Sequence, residues 1–129
     1  MSTDRISDML SMLRNASMVG NSSIETFYSK ECEAIAKVLK TRSFLREVKV
    51  FKPSKRPYKM LHLDLNTENI ISSAKRISRP GRRIYRGTKG LKRIAGGNGV
   101  LVVSTSLGVM DGEVAKKKKL GGEVLCEVK

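Results

Sequence analysis

An α+β fold in two small lobes is predicted for this chain of 129 residues. N-terminal helices would pack on a three-stranded sheet, and the C-terminal lobe would be mostly β with a short helix. Three observations predict it. Apolar residues recur at helical spacing in two segments before residue 41. Beyond that point they alternate with period two. Charge also divides unevenly: residues 1–69 carry 12 basic and 8 acidic side chains (net +4), and residues 70–129 carry 14 and 4 (net +10). The lobes are placed at residues 1–68 and 69–129.

Taken in order, the first helix is expected from Asp4 to Ala16, where Ile6, Met9, Leu10 and Leu13 form one stripe and Asp4 complements the macrodipole. Ser22 to Tyr28 leans toward strand. A second helix is expected from Lys30 to Thr41, capped by Ser29, with Cys32, Ile35, Ala36 and Leu39 buried. Phe44 to Phe51 and Tyr58 to Leu65 read as a hairpin, with Leu61, Leu63 and Leu65 on one face and His62 on the other. In the second lobe, Ile70 to Ser78 reads as a strand and Pro80-Gly81 as a type II turn. Arg82 to Arg86 returns as a strand, with Arg83 and Tyr85 opposite Ile84. Thr88 to Ala95 is a short helix, stopped by Gly96-Gly97-Asn98-Gly99. A strand over Val100–Val103 follows, then a helical turn over Val109–Lys117 and a last strand over Glu123–Val128, with Val124, Cys126 and Val128 expected on one face.

Composition narrows the function. An excess of 26 basic over 12 acidic residues repels itself and points to an anionic partner, nucleic acid first. No window approaches the about twenty apolar residues of a membrane span, and the N-terminus has no signal-peptide pattern. Cys32 and Cys126 lie far apart in apolar patterns, as expected of buried free thiols in a reducing compartment, most simply the cytoplasm. No cofactor or metal motif is present: the single His62 has no ligand spacing around it and reads as a structural or surface residue. A serine nucleophile at Ser104 or Ser106 is rejected because neither sits in G-x-S-x-G. The glycine run at 96–99 precedes a strand, the wrong order for a phosphate loop.

Three features carry binding chemistry. Positions 75–93 hold nine Lys or Arg and no acid, among them Arg79, Arg83 and Arg86. Tyr85 sits among these cations and either offers its ring to a base or packs against the sheet. Ser104, Thr105 and Ser106 are three successive hydroxyls with no use in a core, suited to close approach of a polar partner. Gly121 and Gly122 let another backbone approach. Glu123 then either accepts from a base amino group or a ribose 2′-OH, or closes a salt bridge at a bulge. Lys116 and Lys117, in a run of four lysines, would make non-specific phosphate contacts.

The string Gly96 to Cys126, GGNGVLVVSTSLGVM followed by GGEVLC, closely resembles the C-terminal signature of small-subunit ribosomal protein eight of the bacterial type. The similarity continues in Arg76-Ile77-Ser78-Arg79-Pro80-Gly81-Arg82-Arg83-Ile84-Tyr85, in Asp8-Met9-Leu10, in Arg14-Asn15-Ala16 and in Ile35 to Lys40, so it spans essentially the whole chain. The resemblance implies a two-lobed α+β protein without enzymatic activity. It would bind the central domain of small-subunit rRNA, at an irregular internally looped helix, early in subunit assembly. Contacts are implied at Ser104, Thr105, Ser106, Tyr85, Gly121, Gly122 and Glu123. Neighbouring small-subunit ribosomal proteins are implied partners, and in some members an operon mRNA that the protein represses. A free translational regulator acting on such an mRNA is the alternative. Five positions depart from the family pattern. Arg5 replaces a proline, and Ser43 replaces a glycine before Phe44. Asp111-Gly112 replaces Thr-Asp, which is expected to weaken the N-cap of the following helix. Lys119 replaces a glycine, which is expected to unsettle the turn before Gly121.

Overall fold

The computed structural model describes residues 4–91 and 99–129. The first half holds helix α1 (Arg5–Met18), strand β1 (Ser23–Phe27), helix α2 (Lys30–Thr41) and the hairpin β2 (Leu45–Phe51) and β3 (Met60–Leu65). These strands form an antiparallel sheet in the order β1-β3-β2. Alternation works as the sequence predicts: Leu61, Leu63 and Leu65 are buried, while His62 lies on the outer face within 3.3 Å of Glu25 and 3.0 Å of Asp64. The second half holds β4 (Ala74–Arg76), β5 (Tyr85–Arg86), β6 (Val100–Thr105), β7 (Gly108–Asp111), helix α3 (Gly112–Lys117) and β8 (Gly122–Val128). Here β8 is central, pairing with β4 and β5 along one edge and with β6 along the other, and β7 lies outside β6.

The same sheet is buried on both sides, which alternation alone would not give to β8. The β6–β8 register shifts between Val102 and Val103, leaving Leu125 as the extra residue of a bulge. Leu125, Cys126 and Val128 therefore join Val100 and Val102 against the apolar stripes of α1 and α2 and the inner leucines of β3. Val124 and Val103 face the other way and pack with Leu91 and Ala115. One buried cluster thus crosses the boundary at residue 68/69. Cys32 and Cys126 are free and buried, and burial above all pushes the Cys126 thiol up to about 12. Neither thiol is poised to react.

Two charged links also cross that boundary. At the end of α2, Arg42 donates to Asp111 at 2.6 Å and to the Gly99 carbonyl at 2.9 Å. At the start of α1, Asp4 is the N-cap, accepting from the Ser7 amide and hydroxyl, and it also accepts from Arg76. Burial disfavours the charged Asp4 carboxylate, but the Ser7 and Arg76 hydrogen bonds outweigh that and hold its carboxyl below its usual range.

Helices α1, α2 and α3 end alike. In each, the residue two beyond the last helical position takes a left-handed or near left-handed backbone, and its amide and the next one fold back onto the last turn. Ser43 and Phe44 bond to Lys40 and Leu39; Lys119 and Leu120 bond to Lys116 and Ala115; Gly20 and Asn21 bond to Ser17 and Ala16. Gly20 has φ 77°, Ser43 has φ 67° and Lys119 has φ 57°. The two family glycines replaced in this chain thus sit at left-handed positions, and both turns form nonetheless. A Cβ is disfavoured there, so Lys119→Gly should raise stability by about 0.5–1 kcal/mol after the extra freedom of the unfolded glycine is counted. A higher urea midpoint with unchanged slope would show it; an unchanged or lower midpoint would contradict it.

Several expectations are corrected. Val109–Lys117 is not one helical turn: β7 first extends the sheet, because Val109 packs on the large core and Met110 on the small one, an alternating pattern. Only then does α3 begin. Asp111 does not weaken its cap; it is the cap, accepting from the Glu113 amide at 2.9 Å. The strand expected over Ile70–Ser78 shrinks to Ala74–Arg76, since the Ile71 amide is taken by the Ser17 hydroxyl and the Ser72 and Ser73 amides both bond to the Lys129 carbonyl. The returning strand is only Tyr85–Arg86, and Arg79 and Arg82 close an isolated bridge. Gly81 is not among the glycines with positive φ, so the Pro80-Gly81 turn is not type II, which requires one there. Thr88–Gly90 is a single 3-10 turn; the rest of the helix expected to Ala95, and its stop at Gly96–Asn98, lie outside the described residues.

Candidate nucleic-acid interface

The register brings three predicted residues into one row. Tyr85 on β5 stands opposite Glu123 on β8, and Glu123 stands opposite Ser104 on β6. Residues directly opposite in antiparallel strands share a face. Val124 and Val103, one position along, face the small core, so the row points to the other side of the sheet. Tyr85 is 65% exposed and does not pack half-buried against the sheet. Glu123 is held by Arg83 at 3.2 Å, with its side chain largely covered, so its carboxylate is already engaged in the salt bridge.

The three hydroxyls divide the work. Ser104 lies within the β6 pairing. The Thr105 hydroxyl donates to the Gly108 carbonyl at 2.8 Å and accepts from the Leu107 amide at 3.2 Å, which ties the two-residue turn between β6 and β7. Gly108, with φ 120°, closes that turn in a conformation few side chains tolerate. Ser106 is left at the tip, exposed, with its hydroxyl bonded to no described residue.

Gly121 and Gly122 do admit a close backbone, and it is the chain's own. A Cβ at Gly121 would stand 2.7 Å from the Arg86 carbonyl oxygen and 2.9 Å from Gly87 Cα. At Gly122 it would overlap the Ser104 carbonyl. The two glycines therefore draw β5 and β6 onto β8, which assembles the row.

A family model described as Ribosomal protein S8 matches residues 4–128. The chain belongs to the ribosomal protein S8 family. It is 42% identical over 132 residues to the small ribosomal subunit protein uS8 of Rhodopirellula baltica, covering 99% of each chain. It is 39% identical to the uS8 of Heliobacterium modesticaldum, covering 98% of this chain and 97% of that one. The small ribosomal subunit protein uS8c of Thalassiosira pseudonana is 38% identical, with 99% of each covered.

Within this S8-family fold the basic residues fall into separate places. Arg79 and Arg86 are exposed and have no acidic partner among the described residues, whereas Arg83 is spent on Glu123; Arg86, one position along from Tyr85 and opposite Gly122, points to the face away from the row. Lys116 and Lys117 are exposed on α3, whose Ala115 packs on the opposite face from the Tyr85–Glu123–Ser104 row. The fold does not bring them to it. Two residues absent from the sequence-based set stand beside it: Leu107, 69% exposed at the turn tip next to Ser106, and Arg82, exposed at the Pro80-Gly81 turn. An apolar residue within a polar turn was the available signal for Leu107. Arg82 was indistinguishable from its basic neighbours. No helix among the described residues is long and apolar enough to cross a membrane.

Proposed function

We propose that this S8-family member acts as a structural component of the small ribosomal subunit, rather than as a catalyst, by binding the central domain of small-subunit rRNA and supporting subunit assembly. The observation that carries the reading is the row Tyr85–Glu123–Ser104, continued by the Ser106 hydroxyl, which bonds to no described residue. Its chemistry suits an irregular RNA. A flat exposed ring can stack on an unpaired base, and a free hydroxyl both donates and accepts toward base edges or a 2′-OH. Unpaired guanidinium groups take phosphates. Because Arg83 already occupies Glu123, the acid's first task is to hold Arg83 and the row in place. Relatives named as small ribosomal subunit proteins, matched along the full chain, support the same reading.

Ser106→Ala should weaken binding to a central-domain rRNA fragment about three- to tenfold, the usual worth of one hydrogen bond, and leave binding to an unrelated RNA nearly unchanged. Parallel titrations of both RNAs at one salt concentration decide it. Equal losses on the two would refute a discriminating role for Ser106.

A further inference from the structure

Ser78 is fully buried, the most enclosed polar side chain among the described residues. Its hydroxyl accepts from the Ile84 amide at 2.8 Å and donates to the Ile84 carbonyl at 3.2 Å. Both residues also bond to the backbone of Val124 on β8: the Ser78 amide to its carbonyl at 3.1 Å, and the Ile84 carbonyl to its amide at 2.9 Å. Between these two anchors the chain leaves the sheet and returns. Arg79 and Arg82 bond reciprocally at 2.9 Å each across Pro80-Gly81, which makes the excursion a short closed arm. The Arg79 and Arg82 side chains are exposed and have no acidic partner among the described residues, and Tyr85 follows the arm directly.

We propose that Ser78 is a positioning residue for RNA: it latches the base of an arginine arm, residues 79–83, so that Arg79 and Arg82 meet backbone phosphates already ordered. The inference rests on the RNA-binding reading and extends it to a residue that touches no RNA. The ligand chemistry is that of the phosphodiester, since a planar guanidinium presents two parallel donors to a phosphate and the arm carries only positive charge. An unlatched arm would have to be ordered on binding, which costs affinity without removing a contact. Alanine at position 78 loosens it, because the part-buried Ile84 amide loses its acceptor while only the backbone bonds to Val124 and between Arg79 and Arg82 remain.

A double-mutant cycle separates this role from a merely structural one. Ser78→Ala should lower affinity for the central-domain fragment about five- to tenfold. In an Arg79→Ala/Arg82→Ala background the same change should cost nothing further, because no arm contact remains to be prepared. A penalty that persists in that background overturns the positioning role. Wild-type protein that ignores the RNA would sink the RNA reading, a distinct failure. Should Ser78→Ala not fold, hydrogen exchange on the free wild-type protein decides: the Ile84 amide should be protected about as well as that of Val124, and exchange at an unprotected rate overturns the latch.

Discussion

Gly122→Ala should cost about 3 kcal/mol of stability and abolish selective RNA binding, because the new methyl has no room between β8 and β6. The atom it would meet is backbone, the Ser104 carbonyl, so no side chain can turn aside to accommodate it. Relief requires β6 to shift away from β8, which breaks the pairing of Ser104 with Glu123 and moves the Ser106 turn. Gly81→Ala is the matched control: nothing lies within 4 Å of its Cβ and its φ is not positive, so its stability should stay within about 0.5 kcal/mol of wild type. Urea unfolding of both variants measures the contrast. A Gly122→Ala protein that unfolds at the wild-type midpoint would mean that the strands do not pack as described.

The sequence and the structure part company in instructive places. Helices α1 and α2 and the β2–β3 hairpin were legible because each has a single buried face, and one stripe or one alternation records it. Strand β8 was found, but its bulge was not: strict alternation groups Val124 with Cys126 and Val128, whereas the bulge at Leu125 turns Val124 to the small core and leaves Leu125, Cys126 and Val128 on the large one. Strand β7 was read as helix because Val109 and Met110 are too short a signal beside the helical residues that follow. In the candidate site, the residue types were visible and the roles were not. Three hydroxyls look alike in sequence, yet one ties a turn and one bonds to no described residue, and only hydrogen-bond geometry distinguishes Thr105 from Ser106. That Tyr85 stands directly opposite Glu123, and Glu123 opposite Ser104, follows only from the register.

Asp111→Ala is the second change of large effect, also about 3 kcal/mol, because one carboxylate does two things. One of its oxygens caps α3 through the Glu113 amide and the other accepts from Arg42. Arg42 and Asp111 are both largely shielded from water, so alanine leaves a helix end uncapped and a guanidinium short of its closest anion. Asp111→Asn should recover part of the loss, since its side-chain oxygen can still cap. Adding Arg42→Met to Asp111→Ala should cost less than the two single changes summed, as the stranded charge is removed along with its partner. Thermal or urea unfolding of the four proteins gives the coupling directly; strict additivity would show that the pair contributes nothing.

The central place of β8 also bears on how the chain reaches this structure. The β2–β3 and β6–β7 pairs are hairpins that can close within a few residues of chain. Strand β8 instead must find β4, with Ala74 opposite Val128, and it must do so while the Leu125 bulge divides its side chains between two cores. Loop closure over such a span is lost entropy before any contact repays it. The hairpins and helices should therefore form early and wait, with the underside of α1 and α2 half covered, until β8 slots between its neighbours as the slow, committing step. On that view the strand that aligns Tyr85, Glu123 and Ser104 is also the one whose arrival makes folding all-or-none, and no partly folded form of the protein would display the row.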